Sequence, residues 1–244
     1  MTFHNGQCVG IILISFLSLQ FDMTITTDNL GKLRYFAGLE PVQLTGLPQL
    51  FSERTFLKGQ TIISEGDYDD NLHFVISGVV KVFKTSTEGK EQIIKLVRPG
   101  ASFNDIAVFS SGPCPWSAQA LGSTITCLIN KKDLLPVMKN NWLVALNVIT
   151  ALAEQSRILL TLIADLSFKN VTGRVAKILL ENSSPRPDGF PRLTQYEMAA
   201  MAGTAREVVG RSLKALEEGG AIKLERHRIV IADKEYLKQL AGFD

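Results

Sequence analysis

The stretch that most narrows the possible folds is Leu193 to Ile222, LTQYEMAAMAGTAREVVGRSLKALEEGGAI. It reads as two short helices joined by a glycine turn. Thr194 precedes an apolar-periodic run and Glu197 follows three residues later, a spacing at which the two side chains satisfy each other's unpaired backbone N–H groups. A first helix therefore starts at Thr194 and carries Met198, Ala199 and Met201 towards Ala202. Gly203 stands where a helix ends in the left-handed conformation that glycine adopts cheaply. Thr204 and Glu207 predict a second capping box and so a second helix at once, with Val208, Val209, Leu213 and Leu216 inward and Gly219-Gly220 as its stop. The small residues Ala199, Ala200 and Ala202 let the pair approach closely, which makes a helix-turn-helix.

The second helix opens with Arg206, Glu207 and Arg211 on the side away from its valines. Side chains at the start of such a helix are the ones that reach base edges in a major groove. Arginine can bond guanine O6 and N7 in parallel, and glutamate can accept from cytosine N4. Thr194, Gln195, Thr204 and Lys214 complete the candidate contact set on these two helices. A solvated helix with i,i+4 charge pairs is the plainer reading, and two abutting capping boxes argue against it. Residues 204–217, TAREVVGRSLKALE, resemble the recognition helix of the cyclic-AMP receptor protein and fumarate–nitrate reduction regulator (Crp–Fnr) family, which has Arg-Glu-x-Val-x-Arg at these positions. The resemblance implies that Arg206, Glu207 and Arg211 read a TGTGA-like half-site. Glu207 would then have to divide its oxygens between capping and a base.

Charge supports the same end of the chain. Residues 1–167 hold 13 basic and 14 acidic residues (net −1), and residues 168–244 hold 13 and 10 (net +3). The positive excess thus sits with the helix-turn-helix, where a polyanion would want it. Cys8, Cys114 and Cys127 show no CxxC or Cys/His metal spacing and fit a reducing compartment, the cytoplasm. Family members with an iron–sulfur cluster carry a run of cysteines near the N-terminus, whereas Cys8 stands alone. Nothing resembles a catalytic Ser/His/Asp set or a P-loop, so an enzyme is not expected.

Residues 9–21, VGIILISFLSLQF, are the most apolar run but fall short of the roughly 20 residues that span a bilayer. No Lys or Arg precedes them and no small-x-small cleavage site follows, so a secretory signal and a membrane partner are not expected. Residues 1–27 read as an extension, with Met23 as the expected natural start, and a hydrophobic arm or peripheral anchor as the alternative. Residues 28–57 read as short helices. From Gly59 the period changes: apolar runs at 72–83 and 93–97 alternate with glycine turns, the signal of an all-β barrel or sandwich. The spacing resembles the family's jelly-roll cyclic-nucleotide-binding domain.

In nucleotide-binding members, Pro-Gly-x-x-Phe-Gly-Glu leads to a short helix and an Arg-Ser pair; the glutamate takes the ribose hydroxyl and the arginine the phosphate. Here the run is Pro99-Gly-Ala-Ser-Phe-Asn104-Asp105, then Pro113-Cys-Pro-Trp116-Ser117, with no arginine between Arg98 and Arg157. Burying a phosphate without a charged partner is expensive. Leu159 and Leu160 also replace the polar residues that hold the base. Asn104, Asp105, Trp116, Ser117, Leu159 and Leu160 are therefore candidate lining for an effector that is not a cyclic nucleotide, with a cyclic-nucleotide-responsive regulator of the same fold as an alternative. Haem is a second possibility that some relatives illustrate, with His73 as the candidate ligand; Cys114 as a redox switch is a weaker variant.

Residues 141–166 read as one helix about 37 Å long, with Trp142, Ala145, Ile149, Leu152, Ser156, Leu159, Ile163 and Leu166 at alternating spacings of three and four. That is a coiled-coil seam, and a stripe packed on the chain's own barrel has the same period. Asp165 to Arg174 resembles the family hinge, with Asn170 for the usual aspartate. Asn182 to Gly189 is a loop by composition. Ala221–Glu225 and Ile229–Ile231 flank Arg226-His227-Arg228, a winged-helix hairpin whose Arg226 and Arg228 are placed for phosphates, or else an ordinary charged turn. The expected fold class is α+β: a barrel over 28–140, a dimerisation helix over 141–167 and a winged helix-turn-helix over 168–244. By resemblance its partners are double-stranded DNA, a second copy of the chain, RNA polymerase and an unidentified small molecule. A non-DNA effector-binding module is the alternative from another class.

Overall fold

The computed structural model describes residues 25–182, 192–226 and 228–243. The readings of 1–24 (the apolar run, Met23 and Cys8), of the loop at 183–191 and of His227 lie outside these residues. Two short helices, α1 (Thr27–Gly31) and α2 (Pro41–Leu44), and a 3-10 turn at Pro48–Leu50 lead into the strands. Then follow β1 (Phe51–Phe56), β2 (Thr61–Ile63), β3 (Asn71–Ser77), β4 (Val80–Thr85), β5 (Glu91–Val97) and β6 (Ser102–Phe103). Helix α3 (Asp105–Ser110) precedes β7 (Ser117–Ala120) and β8 (Thr124–Asn130).

All pairings in these strands are antiparallel, in two four-stranded sheets ordered β1-β8-β3-β6 and β2-β7-β4-β5. This is the expected jelly roll. One expectation fails. Phe51–Phe56, read as helical, is a strand in register with Thr124–Ile129 of β8. Its sequence carries little local signal, and the partner edge decides its state. The unbroken apolar run of β3 also gains an explanation. Successive side chains alternate faces: Leu72 and Phe74 enter a core beneath the helices, and Val75 enters the space between the sheets. Both faces of β3 are buried, so no polar alternation survives.

Helix α4 (Lys131–Asn140) packs on β8 and hands over to α5 (Trp142–Phe168). Val144, Val148 and Ala151 of α5 join Tyr35, Phe36, Leu72 and Phe74 in the helical core. Helices α6 (Val171–Glu181), α7 (Gln195–Ala202) and α8 (Arg206–Glu218), the hairpin β9 (Ile222–Glu225) and β10 (Arg228–Ile231), and α9 (Lys234–Ala241) form the C-terminal unit. Its core is built from Val175, Ile178, Met198, Val209, Leu213, Leu216, Ile222 and Leu237.

The two units touch through α7 and β5, where Phe83 and Ile93 meet Ala200 and Met201. Gln92 Nε2 donates to Met201 O at 3.3 Å across this contact. Gly203 lies in it with φ +63°, and a Cβ there would stand 2.7 Å from Leu166 Cδ2 and 2.9 Å from Gln92 Oε1. Glycine is required both for the left-handed turn and for the close approach.

Candidate nucleic-acid interface and effector cavity

Helix α7 begins as read: Thr194 Oγ1 accepts from Glu197 N, and Glu197 accepts from Thr194 N. Gly203 ends it in the left-handed conformation. The second capping box does not form. Helix α8 starts at Arg206 with Ala205 as its cap and no side-chain bond there, so Thr204 and Glu207 do not pair. The 204–206 backbone is fixed instead by the turn, in which Thr204 N bonds Ala199 O. Glu207 is thereby spared the divided role expected of it.

Val209, Ser212, Leu213 and Leu216 are the buried stripe of α8, and Val208 lies half outside it. Arg206, Glu207, Arg211 and Lys214 are all exposed. Among the described residues, the side chains of Arg206, Glu207 and Arg211 make no hydrogen bond or ion pair, while Lys214 lies 3.7 Å from Glu218. Thr194 and Gln195 are exposed at the start of α7, with the Thr194 hydroxyl occupied by its cap, and Thr204 is half-buried in the turn. Arg226 is exposed on the hairpin, and Arg228 Nε donates to Glu225 Oε2 at 2.5 Å. The helices thus present a free donor–acceptor set, whereas one of the two hairpin arginines is spent on a neighbour.

The barrel site differs more from expectation. Asn104 has φ +72° and caps α3, yet its side chain is fully used. Its Nδ2 donates to Asp69 O and Asn71 O, and its Oδ1 accepts from Cys114 Sγ. Trp116 does not line the cavity that Asp105 lines. Its indole is buried with Val75, Val82 and Phe103 in the core between the sheets. Ser117 Oγ accepts from Glu65 N. Leu160 points to solvent and Leu159 is half-buried, and neither lines a cavity with Asp105. Only Asp105 of the expected set does so.

Asp105 is 2% exposed. Its Oδ1 accepts from the Tyr35 hydroxyl and, at 2.7 Å, from Ser102 Oγ. Burial, and then the adjacent Asp105 carboxylate, hold the Tyr35 phenol far above its usual range. The residue missed in the sequence is Lys95. Its Nζ sits 3.9 Å from Asp105 Oδ2 and 5.9 Å from the Trp116 ring centre, and donates to Gln155 Oε1 of α5 at 2.8 Å. Burial lowers its pKa, and Asp105 opposes that. A single lysine inside the apolar run Ile93–Val97 was the signal available.

His73 is buried, stacked on Phe103 at 4.9 Å, with Nε2 3.0 Å from Asp69 Oδ2. Its Nε2 is therefore occupied, while its buried Nδ1 has no hydrogen-bond partner. Cys114 and Cys127 are buried; desolvation first, then nearby carboxylates, push their thiols up to about 11 and about 12.

Two family models match the chain: the cyclic nucleotide-binding domain over residues 53–141 and the Crp-like helix-turn-helix domain over 173–240. A cyclic AMP receptor protein of Thermus thermophilus is 31% identical over 206 residues, covering 84% of this chain and 95% of the relative. The chain is a member of the Crp–Fnr family of transcription regulators. A CRP-like cAMP-activated global transcriptional regulator of Mycobacterium tuberculosis is 29% identical over 221 residues, covering 88% of this chain and 99% of its own length. The structure of FixK2 from Bradyrhizobium japonicum shares the fold, with a TM-score of 0.69 and 24% identity, covering 78% of this chain and 96% of that one. As a Crp–Fnr regulator the chain carries a helix-turn-helix DNA-binding domain, and the free face of α8 is that domain's outward surface.

Proposed function

We propose that this regulator is a homodimer that reads a TGTGA-like palindrome with Arg206, Glu207 and Arg211, under the control of an effector other than a cyclic nucleotide. The observation that carries the base-reading assignment is the state of α8: two guanidinium groups and a carboxylate, exposed and unpaired within its first two turns. Thr194, Gln195, Thr204, Lys214, Arg226 and Arg228 are assigned to positioning contacts with phosphates, which set affinity and register. The division into a sensing barrel (28–140), a dimerisation helix (141–167) and a DNA-binding domain (168–244) belongs to the same reading. So do action in the cytoplasm, a contact with RNA polymerase and the absence of catalysis.

Relatives described as cAMP-activated bring that effector into question here. Trp116 fills the volume between the sheets, Asn104 and Ser117 are committed to backbone contacts, and Asp105 is held by Tyr35 and Ser102. These placements support a different ligand. Haem is the weaker reading, because the His73 ring is stacked on Phe103 and its Nε2 is held by Asp69.

Arg206→Ala and Arg211→Ala are each expected to weaken binding to a TGTGA palindrome by about 1–3 kcal/mol and to relax base preference at one position. Arg226→Ala should weaken all duplexes alike and lower the slope of log K against log salt by about 1. Fluorescence anisotropy on palindrome and scrambled duplexes over a salt series separates the two. Unchanged palindrome affinity in both α8 variants would remove the base-reading assignment.

A further inference from the structure

A small cavity of about 110 Å³ lies between the barrel and α5. Lys95 and Ser102 from the strands, Asp105 at the start of α3, Arg34 and, from α5, Ala151 and Gln155 form its walls. Asp105 spends only one oxygen: Tyr35 and Ser102 both donate to Oδ1, and the buried Oδ2 has no hydrogen-bond partner. Lys95 faces that oxygen at 3.9 Å, close enough to attract it and too far to bond it. Of the three ammonium donors, one goes to Gln155 Oε1 at 2.8 Å and one reaches Ser102 O at 3.4 Å. One remains. Arg34 pairs with half-exposed Glu154, which stands outside this wall, and its fork has further N–H groups to offer.

The cavity therefore holds an unmet acceptor on Asp105 and unmet donors on Lys95 and Arg34. A carboxylate accepts from the spare Lys95 and Arg34 donors, and a hydroxyl beside it supplies the donor that Asp105 Oδ2 lacks. Size sets the remaining limit. Sites for drug-sized ligands are about 300–1,000 Å³, so this space is too small for a nucleotide.

We propose that the cavity binds a small hydroxycarboxylate, with its carboxylate on Lys95 and Arg34 and its hydroxyl donating to Asp105 Oδ2. The assignment rests on the reading of the barrel as the sensing domain. Such a ligand shares Lys95 with Gln155 of α5 and touches Ala151, so its binding free energy differs between positions of α5 relative to the barrel. That difference is what an effector needs in order to shift an equilibrium.

Calorimetric titration of the full-length regulator with L-lactate and glycolate tests it, with acetate (no donor) and lactamide (no carboxylate) as comparison probes. At least one hydroxycarboxylate should saturate and bind about tenfold more tightly than either comparison probe. Lys95→Met should abolish the signal. Ala151→Leu, which fills the space without touching the polar groups, should abolish it too, so loss of fold in one variant leaves the other decisive; circular dichroism checks both. No saturable heat below about 10 mM, equal binding of acetate, or binding retained in a folded variant would overturn the proposal. Palindrome binding measured on the same preparation keeps the two readings apart. A regulator that holds DNA but no hydroxycarboxylate loses this site alone, and one that takes lactate but binds no duplex keeps the site and loses the sensor reading.

Discussion

Trp116 belongs to the core between the sheets. The indole shares a buried cluster with Val75, Val82 and Phe103 of β3, β4 and β6, and its exposure is 6%. Removing it leaves a hole that the two hydrogen-bonded sheets cannot collapse around. Trp116→Ala is expected to lower the free energy of unfolding by about 3–5 kcal/mol, the usual cost of truncating a buried large aromatic residue, read from urea denaturation. A loss below about 1 kcal/mol would mean that the indole is not core. The two buried cysteines answer to the same physics. Their raised pKa values, about 11 and about 12, keep both thiols protonated at neutral pH, and the thiolate is the reactive form. Peptide mapping after iodoacetamide treatment of the native regulator should find Cys114 and Cys127 unmodified at pH 7.5 (~1 unit below an ordinary thiol's pKa) and labelled after denaturation. Labelling of native Cys114 would revive the redox reading.

At the scale of elements, α5 shows why periodicity alone left two readings open. The helix has two apolar stripes. Val144, Val148 and Ala151 pack in the core on the barrel, with Leu152 of the predicted seam at its edge, while Trp142 is exposed by 74%, Ile149 by 63% and Ile163 by 60%. By length and composition α5 could cross a membrane. Its barrel-packed face, and Glu154, Arg157 and Asp165 along its length, favour a second α5 as the cover of the open stripe. Ile149→Asp with Ile163→Asp should therefore shift the regulator from dimer to monomer in sedimentation velocity while leaving the barrel folded; an unchanged sedimentation coefficient would refute the seam. Much of this architecture was readable from sequence because its signals are local. Gly203, the Thr194–Glu197 cap and the inner stripe of α8 each lie within one turn of their cause. What escaped was set at a distance. Strand β1 owes its state to β8, about 70 residues away in the chain. Lys95 became a site residue only when the fold brought Asp105 and Gln155 beside it. The Thr204–Glu207 pair failed for a different reason: the helix begins one residue later than read, with Ala205 in the cap position, so Thr204 stands one residue outside it.

For the molecule as a whole, the segment read as a hinge is cross-tied by ion pairs and hydrogen bonds into a clasp. Helix α5 runs to Phe168, and only Lys169 and Asn170 separate it from α6. Asp165 pairs with Lys169 at 3.0 Å and with Lys177 of α6, while Arg174 donates to Lys169 O at 2.6 Å and to Ala202 O at 2.7 Å. The long helix is thus tied to both α6 and α7, and rotation of the recognition helix must strain or break these bonds. Acid should loosen them. Burial raises the Asp165 pKa, but Lys177 and Lys169 outweigh it and hold the carboxyl below its ordinary value. A depressed folded-state pKa means that the unfolded chain takes up the proton first as pH falls. The contribution of Asp165 is then complete above the unfolded value of about 3.9 and is lost as pH falls through the lower folded one. Glu181, near Lys177, is shifted upward by burial and would act in the opposite sense. The comparison is therefore best made in a Glu181→Gln background. There, Asp165→Asn should destabilise the regulator by a constant amount between about pH 5 and pH 7, and the gap should close below about pH 4 as the parent loses the same ion pairs. The pair is partly open to solvent, so the gap should be modest and should shrink in high salt. A gap that persists undiminished at pH 3, about one unit below the unfolded pKa, would show that the carboxylate charge does not hold the clasp.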